Sequence, residues 1–361
     1  MFQISRKEVP PWPGGHADEE RVLERVGFLE EIRSVFNRTS AHWTRLLSIE
    51  GGWGLGKTAL FDQACAIADR SSCLVLRARG GELEKHAPFS VLERIVELAH
   101  ERVVSVALEG ELAQEFSARL VSPSSDDVYA LGTTFYSLLR QLRRRGPVLV
   151  AIDDADLIDR ETATTLQFAF HRFDDEQIWL LLTSRPRLSG VTLRPVDWLL
   201  VEPDARHFPL EPLGIESVVS LISDALGKAP DEPFADACLA ATAGNPMFLR
   251  TLLETCAERQ IQPTALWSAG IASLQVPRIT QQVLCKLALL PVASTDLLEA
   301  CSVIGDSVHL RAAQQLAKID LLAARRAATA AEQLELIHEG RPLCFNAPIV
   351  RWAVYLSLIH I

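Results

Sequence analysis

The chain contains no run of 18 or more apolar residues, so no segment reads as a membrane-spanning helix and no membrane partner is expected. Its first ten residues, Met1 to Pro10, lack the apolar core of a signal peptide. Its seven cysteines include no Cys-x-x-Cys pair and no metal-ligand spacing. Several sit on apolar helix faces, where a free thiol is a small hydrophobe. An odd, scattered set of this kind suits a reducing cytoplasm. Positive charge is in short supply: 36 Lys and Arg face 46 Asp and Glu, a net charge of −10. That balance argues against a nucleic-acid surface in this part of the protein, although not against a DNA-binding module elsewhere in a longer one. There is no internal repeat and no low-complexity run, which sets aside solenoids. With 48% apolar and 23% charged residues over 361 positions, the chain is ordinary globular material, long enough for two or three domains.

What the chain does have is Gly51-Gly52-Trp53-Gly54-Leu55-Gly56-Lys57-Thr58, which fits G-x-x-x-x-G-K-[ST], the phosphate-binding loop. The glycines let the backbone curl so that successive N–H groups point at one anion. Lys57 supplies a point charge for β- and γ-phosphates, and the Thr58 hydroxyl can ligate Mg²⁺. A helix that starts at the loop aims its positive end at the same place. The context agrees: Leu46 to Glu50 reads as a buried strand and Thr58 to Cys65 as a helix.

Around this motif the pattern is regular. Arg21 to Phe36 has helical periodicity. Ser72 to Ala78 is a second buried strand, followed by helical patterns at about 88–106, 109–120 and 126–145. Val148 to Ile152 is a third strand, running into Asp153-Asp154. Ile178 to Leu182 is a fourth, ending in Thr183-Ser184-Arg185, and a fifth is expected near Arg206 to Leu210. Apolar strands without alternation, separated by helices, imply an α/β fold with a parallel sheet covered on both faces. Beyond about residue 212 strands give way to helices at about 214–227, 232–242 and 247–259. A Pro/Gly/Ser-containing link, 262–277, leads to a helical group at 278–331. Leu334 to Ile337 and Pro342 to Phe345 then bracket Glu339-Gly340 as a small hairpin.

Phosphoryl chemistry needs a carboxylate at a strand end to hold the Mg²⁺ shell. Asp153, about 95 residues after the phosphate loop and closing an apolar strand, is the candidate. Asp154 could orient a water or act as base, although an Asp here is shorter than the Glu common in P-loop ATPases and argues against brisk hydrolysis. Asp156 and Asp159 are better read as caps and first-turn charges of the following helix. The C-terminal ends of parallel strands face the ligand crevice, so Thr183 is placed to bond a γ-phosphate or attacking water, and Arg185 to report the charge there. Gly244-Asn245-Pro246 reads locally as a helix stop and restart.

In this order, the pieces resemble the STAND class of P-loop ATPases within the AAA+ group. More narrowly, about residues 20–355 resemble the N-terminal half of large LuxR-family (LAL, MalT-like) bacterial transcriptional regulators. Leu23-Glu24-Arg25 through Leu29-Glu30 resembles the lead-in helix that lies near the nucleotide base, which implicates Arg25. Glu50 through Leu60, Ala59 included, matches the family's phosphate loop, and Arg77 to Glu84 with Pro88-Phe89 a segment typical of the large regulators. Asp153-Asp154-Ala155-Asp156 matches the Walker B stretch, with Asp156-Leu157 where His-Trp is usual. Thr183-Ser184-Arg185-Pro186 matches the sensor strand end, and Gly244-Asn245-Pro246 the lid motif whose proline packs near adenine. Asn346 to Arg351 falls where the family often carries His-Pro-Leu-Val-Arg in a winged-helix domain, and Ala347 replaces the histidine that resembles an ADP sensor.

The resemblance implies a tail at 1–20, a P-loop ATPase domain at 21–211, a helical lid at 212–270 and a winged-helix-like domain at 271–355. Leu356 to Ile361 resemble a translated sequencing adapter, so a truncated chain is expected. It also implies an ATP/ADP switch with Mg²⁺, slow hydrolysis and an effector that the residues do not name. ATP-dependent self-association is a further implication, and DNA is reached only through a helix-turn-helix beyond this chain. Rival readings are a stand-alone initiator-like AAA+ ATPase, a P-loop kinase, for which no lid arginine cluster or acceptor site is found, and an ATPase module fused to a cyclase or kinase. Direct DNA binding by residues 306–351 is disfavoured, because six Lys/Arg there meet five Asp/Glu.

Overall fold

The computed structural model describes residues 25–37, 44–103, 127–173, 177–189 and 192–359. The tail at 1–20, the first residues of the lead-in helix and the helical pattern at 109–120 lie outside the described residues.

In chain order the elements begin with α1 (Val26–Phe36), β1 (Leu46–Glu50), α2 (Lys57–Arg70), β2 (Leu74–Arg79), α3 (Ser90–Val103), α4 (Asp127–Arg143) and β3 (Val148–Asp153). They continue with α5 (Arg160–Phe170), β4 (Ile178–Ser184), α6 (Asp197–Leu200) and β5 (Ala205–Pro209). The five strands form one parallel sheet in the order β2-β3-β4-β1-β5. Alternate residues of each central strand feed two different cores. Val148, Val150 and Ile152 of β3, with Ile178, Leu180 and Leu182 of β4, pack under α3, α4 and α5. Leu149, Ala151, Trp179 and Leu181 point to the opposite face, where α1 and α2 cover them. Burial on both faces is why these strands read as unbroken apolar runs. The edge strand β5 carries exposed Arg206 and His207, which blunts an open sheet edge with charge.

The rest of the described chain is helical: α7 (Ile215–Leu226), α8 (Glu232–Thr242), α9 (Pro246–Glu258), α10 (Ala265–Ile271), α11 (Pro277–Leu287), α12 (Val292–Ile304), α13 (Leu310–Ala317), α14 (Leu321–Gln333) and α15 (Pro348–Ile359). One apolar cluster runs through them from Leu213 to Val354. The stretch read as a link, 262–277, contains α10, which packs on α8. Its Ala265 N–H donates to the Asp231 side chain at 2.9 Å, so its start is capped from another element. Only Ile271 of this helix is buried, and that leaves almost no periodic signal in the sequence. The small hairpin is present as an isolated antiparallel bridge, Ile337 with Phe345, with the His338 N–H donating to the Cys344 carbonyl at 2.8 Å, and Val308, from before α13, pairs with its second arm at Leu343.

Candidate nucleotide site

The strand order puts the carboxyl ends of β3, β4 and β1 side by side, Ile49 opposite Thr183 and Glu50 opposite Ser184. The Gly51 N–H continues that ladder, donating to the Ser184 carbonyl at 3.2 Å. The loop from Gly51 to Gly56 then turns into α2 through Gly54 (φ +81°) and Gly56 (φ +93°), both in the left-handed region that L side chains rarely adopt. A side chain on Gly54 would also meet Asn245 Oδ1 at 2.6 Å. Lys57 Nζ lies over the loop and donates to the Gly51 and Gly52 carbonyls at 2.7 and 3.1 Å. Burial lowers its pKa, against the opposing pull of Glu335, Asp156 and Asp154.

Asp153 is the buried centre of the polar constellation, with 2% exposure. It accepts from the Thr58 hydroxyl at 3.0 Å and from the Thr183 hydroxyl at 2.6 Å. Thr183 also accepts the Asp154 N–H at 2.8 Å, so it fixes both acids of the pair. Asp154 has left-handed backbone (φ 51°), and its carboxylate takes two bonds from Arg79, at 2.9 and 2.8 Å. Arg185 turns to Asp156 instead, with Nε to Oδ2 at 2.6 Å. Asp156 is therefore the ion-pair partner of Arg185 and not a helix cap. Asp159 is the cap: it accepts the Thr162 N–H at 2.8 Å and also holds the Phe89 N–H at 2.9 Å.

Beside the loop opens a cavity of about 310 Å³, within the size range of small-molecule sites. It brings together Arg25, Gly54, Leu55, Gly56, Ala59 and Pro246, with Gln63, Leu210, Leu213, Leu221, Met247 and Arg250 completing the wall. Arg25 is anchored by donating to the Glu211 carbonyl. Gly51 and Gly52 hold Lys57 across the loop and Thr58 reaches Asp153, while Trp53 packs edge-on against Phe248 of α9. The lid residues touch the loop backbone directly. Asn245 caps α9 by accepting the Met247 and Phe248 N–H groups, while its Nδ2 donates to the Trp53 carbonyl at 2.7 Å. Gly244 (φ +70°) makes the stop-and-restart possible, since a Cβ there would meet the Leu213 carbonyl at 2.5 Å. Pro246 then starts α9 on the cavity wall.

The chemistry of these donors fits a nucleotide and a hard cation. N–H groups in a glycine loop at a helix N-terminus suit phosphate, and a threonine hydroxyl beside a strand-end carboxylate suits Mg²⁺. Sequence reasoning missed four residues here: Arg79, Arg250, Lys286 and Glu335. Lys286 Nζ sits 3.5 Å from the centre of the Trp53 ring and donates to the Leu334 carbonyl at 2.6 Å. Glu335 accepts the Trp53 N–H. Arg79 lies in the Arg77 to Glu84 segment, which named no role for it, and no motif marks the other three. They reach the site through tertiary packing, two of them from more than 200 positions away in the chain. The buried cysteines play no part: burial pushes the Cys65, Cys73, Cys238 and Cys301 thiols up to about 12, so they stay protonated packing groups.

Residues 21–182 match the family model described as the AAA ATPase domain. No curated protein matches the chain in sequence. Among solved structures, a Walker-type ATPase of Pyrococcus abyssi is similar over 92% of this chain and 96% of its own, at 12% identity and a TM-score of 0.56. A STAND protein with a tetratricopeptide-repeat sensor from Pyrococcus horikoshii aligns over 90% of this chain and 41% of its own, at 14% identity and a TM-score of 0.40. RuvB of Thermotoga maritima aligns over 89% and 90%, at 13% identity and a TM-score of 0.43. With its five-stranded parallel sheet, its loop and its strand-end acids, the chain carries an AAA-type P-loop ATPase domain.

Proposed function

We propose that this chain is an ATP/ADP-dependent signalling switch with slow hydrolysis, the regulatory part of a LuxR-family transcriptional regulator. The observation that carries the reading is the convergence on one loop of three regions. The sheet supplies the phosphate loop and Asp153, α9 supplies Asn245 and Pro246, and the region from α11 to α15 supplies Lys286 and Glu335. A ligand in that loop therefore touches the contacts that hold the lid and the C-terminal region, which is what a switch requires.

The geometry supports a division of roles. The loop N–H groups and Lys57 bind phosphates, the wall from Arg25 to Pro246 receives the base, and Thr58 with Asp153 holds Mg²⁺. Bound there, Mg²⁺ neutralises charge on the phosphates. Slow turnover is supported by how the three hydrolysis candidates are engaged: Asp154 with Arg79, Arg185 with Asp156, and Thr183 with Asp153. Each of the three must leave its present partner before it can meet an attacking water. DNA is reached through a helix-turn-helix outside this chain, and self-association and an effector complete the cycle.

The test is whether the two nucleotides select different conformations. Limited proteolysis and small-angle scattering of the ADP-loaded and ATP-loaded chain should differ. Identical cleavage patterns and scattering curves in both states would contradict a switch.

A further inference from the structure

The phosphate loop has two sides, and they are in different conditions. On the base side the cavity of about 310 Å³ is open. On the other side a carboxylate from the C-terminal region stands against the loop. Glu335 accepts the N–H of Trp53, a backbone donor within the phosphate loop. The same Glu335 oxygen, Oε2, lies 3.4 Å from where a Cβ of Gly52 would be, so it is seated against the loop backbone.

Glu335 is held in this position from behind. It follows α14 in left-handed backbone (φ 55°). Its N–H donates to the Glu332 carbonyl at 2.9 Å, and its own carbonyl accepts Asn346 Nδ2 at 2.7 Å. Lys286, from the end of α11, covers the Trp53 ring and ties to the Leu334 carbonyl next to Glu335. A second carboxylate in the same turn, Glu339, accepts the Ser189 N–H at 2.8 Å, just past the sensor strand β4. The turn therefore docks on the loop and on the strand exit together, with an acid at each point. An anion-binding backbone of this kind favours any anion that reaches it, and a protein carboxylate there competes with a phosphate.

We propose that Glu335 is a built-in anionic plug of the phosphate loop, and that a nucleotide phosphate must displace it, releasing the 335–345 turn. This deepens the switch reading and rests on it, because it assumes that the loop binds nucleotide phosphate. It places a gate on occupancy ahead of the ADP/ATP choice: phosphate and Glu335 cannot both satisfy the Trp53 N–H, so nucleotide entry is coupled to undocking of the 335–345 turn. The neutral isostere Glu335→Gln keeps the shape and removes the charge.

The experiment has two arms, both on the full chain. In the first, ADP and Mg²⁺-ATP are titrated into the parent and into Glu335→Gln by calorimetry. In the second, amide hydrogen exchange across 335–345 is followed in the parent with and without ADP. The proposal expects at least tenfold tighter binding by Glu335→Gln and faster exchange in that turn when nucleotide binds the parent. Should the variant fail to fold, the exchange arm on the parent decides alone. Equal affinity of the two proteins with unchanged exchange in 335–345 overturns the plug while leaving the nucleotide site intact. Absence of nucleotide binding in both proteins overturns the site reading itself, and the plug with it.

Discussion

Lys57 is engaged before any phosphate arrives: its ammonium bridges the Gly51 and Gly52 carbonyls at 2.7 and 3.1 Å and so holds the loop in shape. A bound phosphate replaces those carbonyls with a charged partner, a stronger bond. Lys57→Ala should therefore weaken ATP and ADP binding at least tenfold, about 1.4 kcal/mol or more, in a direct titration, and equal affinity would remove the loop from the site. Asp153→Asn takes a charge from the Mg²⁺ position and leaves two hydroxyls without their carboxylate. It should depress Mg²⁺-dependent hydrolysis while some metal-free nucleotide binding survives, whereas unchanged turnover would place the metal carboxylate elsewhere. These residues were legible in the sequence because each is local: a loop motif, or the polar residue that ends an apolar strand. Glu335 and Lys286 were not, since a lone acid after one helix and a lone lysine near the end of another look like ordinary surface groups until the fold carries them to Trp53.

The elements were legible in proportion to how much of them is buried. The central strands β3 and β4 are buried at every position and stand out as apolar runs, while α6, only four residues long, and α10, largely exposed, left no periodic signal. Helix starts carry a measurable share of stability. Asp159 caps α5 and also satisfies the buried Phe89 N–H, so Asp159→Ala should cost about 2 kcal/mol in urea unfolding, and a loss near zero would show that water replaces the carboxylate. The docking of α11 on the phosphate loop should depend on pH. Burial lowers Lys286 to about 7, with Glu335 opposing and Arg185 and Lys57 adding to the fall. Undocking returns Lys286 to water and its ordinary value near 10.5, so opening takes up a proton between about 7 and 10.5. The docked state is thus favoured as pH rises through that window, by up to about tenfold per pH unit. Nucleotide affinity should fall from pH 7 to 9 in the parent and fall less in Lys286→Met, and parallel pH profiles would contradict this coupling.

At the scale of the whole molecule, the fold class was legible from the alternation of apolar strands and helices, but the way the helical regions close on the sheet was not. One core runs from Leu213 to Val354, and its contacts with Trp53 come from residues far apart in sequence. Composition does speak to partners at this scale. A chain of net charge −10, with a balanced 306–351 segment, should give no sequence-selective, salt-sensitive shift with duplex DNA. Such a shift would overturn the assignment of DNA recognition to a separate module. The central claim, a nucleotide switch and not a motor, is tested most directly by measuring steady-state ATP turnover on a chain shown to bind ATP and ADP saturably. Turnover far below the roughly 10 s⁻¹ of an average enzyme, abolished with binding in Lys57→Ala, is the expected result. Saturable binding with turnover at or above that rate would contradict it.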